Sequence, residues 1–159
     1  LLHTYPICYY SGALGPKQRQ GDGQSPEGFY AVASGQLNPQ SNYHLAFNLG
    51  YPNAYDRAHQ RTGNYLMVHG NCVSIGCYAM GDANIEEIYS LMAAALAAGQ
   101  RNVPVHVFPF RFEPGWEARY TDSPWLDFWQ QLEAGYRAFD ANGRPPQVRV
   151  RDGRYELVE

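Results

Sequence analysis

Within His69-Gly70-Asn71-Cys72-Val73-Ser74-Ile75-Gly76-Cys77 the chain places a histidine and a Ser-x-Gly-Cys turn in one short segment. A thiol attacks a carbonyl carbon only as thiolate, so it needs a nearby base or positive dipole. Glycine directly before the cysteine lets the backbone turn sharply and aim successive N–H groups at one point, as an oxyanion requires. Cys77 is therefore the candidate nucleophile, His69 the candidate base, and the Gly70 carbonyl the group that orients His69. The N–H groups of Ile75, Gly76 and Cys77 are the candidate oxyanion hole, each such donor being worth about 3 kcal/mol of barrier. Ser74 is expected to brace the turn through nearby backbone.

Each of these residues also has a plain structural reading. A single cysteine is usually a small buried hydrophobe, and a histidine at a strand end is usually a satisfied core group. The combination of motif and flanking strands favours chemistry for Cys77 and His69. Cys72, with no glycine before it, keeps the structural reading. A Cys72–Cys77 disulfide is conceivable because a short loop can close, and it would silence the nucleophile. Zinc on His69, Cys72 and Cys77 lacks the usual paired ligand spacing, so no metal is expected. With Cys8 these are the only cysteines, too few for a disulfide-built scaffold.

The elements that must position these groups follow from pattern. Tyr65-Leu66-Met67-Val68 reads as a buried strand leading into the turn, and another short strand runs on to Met80. Residues 1–10 read as a strand, 11–28 as a long Gly/Gln/Pro-rich surface loop, and 28–32 and 43–47 as aromatic strands. A second loop, 49–64, carries Asp56, Arg57, His59 and Arg61. These are either solvated or functional. In the functional reading Arg57 and Arg61 fork onto substrate carboxylates beside His59, assisted by Lys17 and Arg19.

Asp82 is expected to cap a helix with Ile85, Ile88, Tyr89, Met92 and Leu96 inward and Gly99 as its stop. A strand follows over 103–108. Ser123-Pro124-Trp125 opens a second helix whose Trp125, Phe128, Trp129, Leu132 and Tyr136 share one face, a core stripe and not a ligand platform. Asp152-Gly153 turns a hairpin of 147–150 and 154–158. Strands outnumber helices without βαβ alternation, so the class is α+β around a largely antiparallel or mixed sheet, with two main helices packed on it.

Composition narrows the function classes. The chain has 159 residues, 45% apolar and 17% charged, which is a globular balance of one-domain size. A net charge of −3 argues against general nucleic-acid binding. The longest apolar run, 91–98, is too short to span a bilayer. The chain opens on Leu1-Leu2-His3-Thr4 without an initiator methionine and reads as a processed piece, so its lack of a secretion signal says nothing about compartment.

Tyr65-Leu66-Met67-Val68-His69-Gly70 followed by Ser74-Ile75-Gly76-Cys77 resembles the YkuD-type L,D-transpeptidase domain. That family carries a histidine-glycine strand and then Ser/Thr-His-Gly-Cys. Ser25-Pro26-Glu27-Gly28-Phe29-Tyr30 is similar to its Thr-Pro-x-Gly-x-Phe strand. With Gly12–Gly21 and the 57–61 loop, the likeness is to the YafK-like branch and covers most of 4–110. The chain departs from the pattern in a much shortened gap between histidine and cysteine. Ile75 also stands where the family has its second histidine, and no arginine follows in Tyr78-Ala79-Met80.

The resemblance implies a catalytic core over 1–110, with 111–159 a helix-and-hairpin appendage to the same domain. It implies a periplasmic or cell-envelope acyltransferase acting on peptidoglycan stem peptides at diaminopimelate through a Cys77 thioester, with no cofactor or metal. The same site used with water would be an amidase cutting diaminopimelate cross-links or the link to a peptidoglycan-anchored lipoprotein. A catalytically silent wall-binding module, with Cys77 structural, is the remaining alternative.

Overall fold

Gly28-Phe29-Tyr30-Ala31-Val32 is aromatic and β-prone, and this segment, buried everywhere but at Ala31, is β1 (Gly28–Val32). In the computed structural model, which describes residues 3–158, β2 (Leu37–Ser41), β3 (His44–Asn48), β4 (Met67–His69) and β5 (Tyr78–Ala79) form one sheet in that order. β2, β3 and β4 run antiparallel to their neighbours, whereas β5 lies parallel to β4, with Val68 opposite Tyr78 and His69 opposite Ala79. Parallel neighbours normally need a crossover of about a dozen residues or more. Here the turn over 70–77 suffices because β5 is only 2 residues long.

β6 (Val103–Val107) returns to pair antiparallel with β1, making a separate ribbon. α2 (Asp82–Ala97) packs on the four-stranded sheet through Ile85 and Met92, against Val32, Phe47, Val68 and Met80. Of the expected inward face, Ile85, Ile88 and Met92 meet this core, whereas Tyr89 and Leu96 stay half-buried outside it. Asp82 occupies the first turn, but its carboxylate accepts the Asn71 amide at 2.7 Å. It braces the turn carrying the thiol and does not cap its own helix, for which Gly81 holds the N-cap position.

The C-terminal part builds a second, aromatic core. α3 (Trp116–Arg119) and α4 (Leu126–Asn142) bring Trp116, Phe128, Trp129 and Leu132 onto Phe29 of β1 and Tyr55. Each large aromatic ring removes roughly 150–250 Å² from water, so this cluster is a major source of stability. The Trp129 indole N–H donates to the buried Glu27 carboxylate at 2.8 Å. The hairpin of β7 (Gln147–Arg151) and β8 (Arg154–Val158) turns at Asp152-Gly153, both with positive φ. It lays Tyr155 on Tyr55 at 4.3 Å between ring centres.

Three expectations need correction. Residues 3–10 make only an isolated bridge, Tyr9 with Ala79, and not a strand; Leu1 and Leu2 lie outside the described residues. Pro6 has no N–H to give to a ladder, and a disulfide from Cys8 to Cys72 fixes the segment instead. The stretch 49–64 is not all loop: Asn53 and Asp56 cap each other's backbone in a capping box and start α1 (Ala54–Ala58). β2 escapes pattern reading because Leu37-Asn38-Pro39-Gln40-Ser41 is polar and its proline sits at an irregularity in the pairing. Among the described residues, no helix is long and apolar enough to cross a membrane.

Candidate functional site

β4 is hydrogen-bonded on both sides, and this fixes His69. The Gly70 amide donates to the Leu45 carbonyl on β3, and the Met80 amide donates to the His69 carbonyl beyond β5. The ring is buried, lying at 4.7 Å from the Tyr43 ring, and its Nδ1 is 2.6 Å from the Gly70 carbonyl oxygen. A carbonyl can only accept, so Nδ1 carries the hydrogen and Nε2 is left with its lone pair. A side chain at residue 70 would meet the Tyr43 carbonyl at 2.6 Å and the Asp82 carboxylate at 2.7 Å. Glycine therefore lets the chain pass between them.

Cys77 is a free, partly exposed thiol at the start of the strand beside His69. Its sulfur accepts the Met67 amide at 3.3 Å and donates toward the Tyr65 carbonyl at 3.7 Å. Ser74 Oγ donates to the Cys77 carbonyl at 2.7 Å and closes the turn. Gly76 has φ +88°, a conformation that glycine adopts without strain. Around the sulfur the turn is open, with Ile75 87% and Tyr65 74% exposed. Tyr65 holds φ +54°, which costs an aromatic residue energy and is characteristic of functional sites.

The expected oxyanion hole is altered at one position. The Gly76 amide already donates to Ser11 Oγ at 2.7 Å, and Ser11 in turn donates to the Gly23 carbonyl at 2.7 Å. The Cys8–Cys72 disulfide, with Cα atoms 5.4 Å apart, ties the N-terminal segment to the turn and brings Ser11 there. The pairing also takes Cys72 away from Cys77, so the conceivable Cys72–Cys77 bridge is not formed and the nucleophile stays free. Ser11 carried no sequence signal, because its role depends on a contact 65 residues away.

The charged residues of the second loop go elsewhere. Arg61 is 5% exposed; its guanidinium donates to Asp56 at 2.8 Å and lies over the Phe128 ring at 4.9 Å. Asp56, fully buried, also accepts from the Tyr30 hydroxyl at 3.0 Å and from the Asn53 amide. The expectation that Arg61 grips substrate is thus corrected: its charge is neutralised inside the fold. His59 is exposed, its ring stacked on Tyr55 and its Nε2 at 2.8 Å from the Gly153 carbonyl, a contact that docks the hairpin. Lys17 is buried against Asp22 at 2.6 Å. Arg57 is exposed, with one donor on the Pro52 carbonyl, and lines a groove that takes no residue from 65–80.

An apolar groove of about 420 Å³ lies behind the thiol, on the face of β4 and β5 that carries Val68 and Tyr78. The buried Glu27 is among its lining residues, its carboxyl accepting from the Gly15 amide and the Trp129 indole. Burial raises its pKa, and the Trp129 N–H and Gly15 amide offset this only in part.

Residues 2–107 match the family described as the YkuD L,D-transpeptidase catalytic domain. Two curated proteins, from Escherichia coli strain K12 and from E. coli O157:H7, carry the name "Putative L,D-transpeptidase YafK". Each is 54% identical to this chain over 155 residues, 98% of the chain. The chain spans 63% of their length. Among solved structures, the helical cell shape determining protein Pgp2 from Campylobacter jejuni superposes with a TM-score of 0.51 at 19% identity. That alignment covers 90% of this chain and 62% of Pgp2, and shows a shared fold.

Proposed function

Because the chain belongs to the YkuD family of L,D-transpeptidase catalytic domains, we propose that it is a cysteine acyltransferase acting on peptidoglycan stem peptides at diaminopimelate. Cys77 Sγ attacks the carbonyl carbon of the donor amide while His69 Nε2 takes the thiol proton. The C–N bond then breaks, and His69 returns that proton to the leaving amine, leaving a thioester on Cys77. An acceptor amine attacks the thioester carbonyl, His69 Nε2 takes the amine's proton, the C–S bond breaks, and the new amide leaves Cys77 as thiolate, ready to be reprotonated by His69. The amides of Ile75 and Cys77 hold the transient oxyanion, on a turn that Ser11 and Ser74 brace.

One observation carries this reading: the Gly70 carbonyl holds the hydrogen on His69 Nδ1 and frees Nε2, one strand away from an accessible thiol. The substrate places the protein in the cell envelope, outside the cytoplasmic membrane. Every step runs on side chains and amides of this chain. A hydrolytic use of the same site, on diaminopimelate cross-links or a peptidoglycan–lipoprotein link, is favoured by a different observation. Val73 and Ile75 are 55% and 87% exposed, so water reaches the turn freely.

Incubation with purified peptidoglycan, with and without a free D-amino acid, separates the readings by product mass. Incorporation of the D-amino acid identifies transfer. Cleavage without incorporation identifies the amidase. Tight binding to peptidoglycan with no product in either arm would overturn both and leave a wall-binding module.

A further inference from the structure

Glycine populates both signs of φ with comparable ease, so Gly76, at φ +88°, does not by itself choose the direction in which the 75–76 peptide faces. That direction decides where the neighbouring amides of Ile75 and Cys77 point. Ser74 closes the turn at the Cys77 carbonyl but does not engage this peptide. Among the described residues its partner comes from outside the turn, as Ser11 Oγ, which accepts the buried Gly76 amide at 2.7 Å.

Residues 8–11 cross the turn like a strap. The Cys8 and Tyr9 amides donate to the Ala79 carbonyl at 2.9 and 3.1 Å, and the Ala79 amide donates back to the Tyr9 carbonyl at 2.9 Å. The disulfide fixes the same segment to Cys72. Ser11 passes its own hydrogen to the Gly23 carbonyl, and its carbonyl accepts the Ser25 amide at 3.1 Å. The strap thus meets the turn at Cys72, Gly76 and Ala79, on both sides of the nucleophile.

We infer that Ser11 is a positioning residue for acylation of Cys77, held in place by the Cys8–Cys72 disulfide, so that reduction of this disulfide slows the reaction. The inference rests on the proposed thioester chemistry but not on the identity of the donor. Cys8 and Cys72 are both exposed, within reach of an external dithiol. Exchange with that dithiol moves two electrons and two protons: the S–S bond breaks, Cys8 and Cys72 become thiols, and the dithiol leaves as a disulfide. The strap then has no covalent tie to the turn, and the Ser11 hydroxyl leaves the Gly76 amide for part of the time.

The test uses the whole chain and follows acylation by intact mass, mapped to Cys77, with a diaminopimelate-containing stem tetrapeptide and separately with p-nitrophenyl acetate. Ser11→Ala should lower the limiting acylation rate about tenfold at unchanged donor affinity, less than the roughly 10²–10³-fold of losing an oxyanion donor outright. Alkylation of Cys77 by iodoacetamide, which forms no oxyanion, should keep its rate. Ser11→Thr, which retains the hydroxyl, should recover most of the loss. A Cys8→Ser, Cys72→Ser protein, and the parent reduced with a phosphine, should show the same drop as Ser11→Ala. Adding Ser11→Ala to either should cost little more, because groups acting as one unit are not additive. An unchanged acylation rate in Ser11→Ala would overturn the inference, as would a faster one, which would make the hydroxyl a block on a third donor. Losses that add between Ser11 and the disulfide would also overturn it, since Ser11 would then act without the bridge. Ser11 dependence with the ester while the tetrapeptide stays unreacted would retire the proposed substrate and leave this inference standing.

Discussion

Two short stretches, 53–61 and 65–77, each crowd titratable residues between regular elements, yet the fold uses them in opposite ways. In the first, everything converges inward: Asp56, Arg61 and Tyr30 answer one another, with two aromatic rings against the guanidinium. In the second, backbone bonds on both sides lock the strand, with His69 buried beside a thiol that stays open. The thiol is partly open, Tyr65 is exposed at positive φ, and His69 has one nitrogen tied and one free. A charge whose partner lies inside the chain stabilises the chain. A reactive group held by backbone alone is held for something outside it.

The largest effect expected from this contrast is on stability. Replacing Arg61 by alanine strands the buried Asp56 carboxylate, and breaking a buried pair in this way costs about 3–5 kcal/mol. Denaturant unfolding should show that loss, with kinetics per folded molecule unchanged. Should the variant unfold like the parent and lose substrate affinity instead, the division between the two stretches collapses.

A smaller effect concerns the first loop, where Lys17 and Asp22 form another inward pair. Burial by itself would raise the Asp22 pKa. The Lys17 ammonium and the amides of Arg19, Gln18 and Gln24 outweigh it and hold the carboxyl at about 2. The folded-state value lies below the unfolded one, near 3.9. The bond set therefore stabilises the fold above pH ~4, by about 2 kcal/mol, and that contribution is lost as pH falls through about 2. Urea unfolding at pH 5 and pH 2 should show a larger drop for the parent than for Asp22→Asn. Equal drops would mean that the loop is as solvated as its composition implies.

The distinction between inward and outward use was only partly legible in the sequence. Aromatic content located β1 and β3, the 3.6-residue stripe located α4 with Phe128, Trp129 and Leu132 inward, and Asp152-Gly153 located the hairpin. Gly76-Cys77 and His69-Gly70 suggested the proposed chemistry because those residue types are needed locally. What escaped depends on distant contacts. Arg61 looks like any loop arginine until Phe128 and Asp56 close on it, and His59 until the hairpin arrives. Cys8 and Ser11 gain meaning only from Cys72 and Gly76, far along the chain. Local periodicity carries no record of such pairings.

The central claim, a thioester on Cys77 formed with His69 as base, is tested most directly by intact mass after rapid mixing with a stem tetrapeptide. The account predicts a mass gain equal to the peptide less the free D-amino acid it releases, mapped by digestion to the fragment carrying Cys77. In His69→Ala the adduct should form at least a hundredfold more slowly, within the roughly 10²–10⁴-fold that a positioned base supplies. An adduct on another residue, or one that forms equally fast without His69, would contradict it.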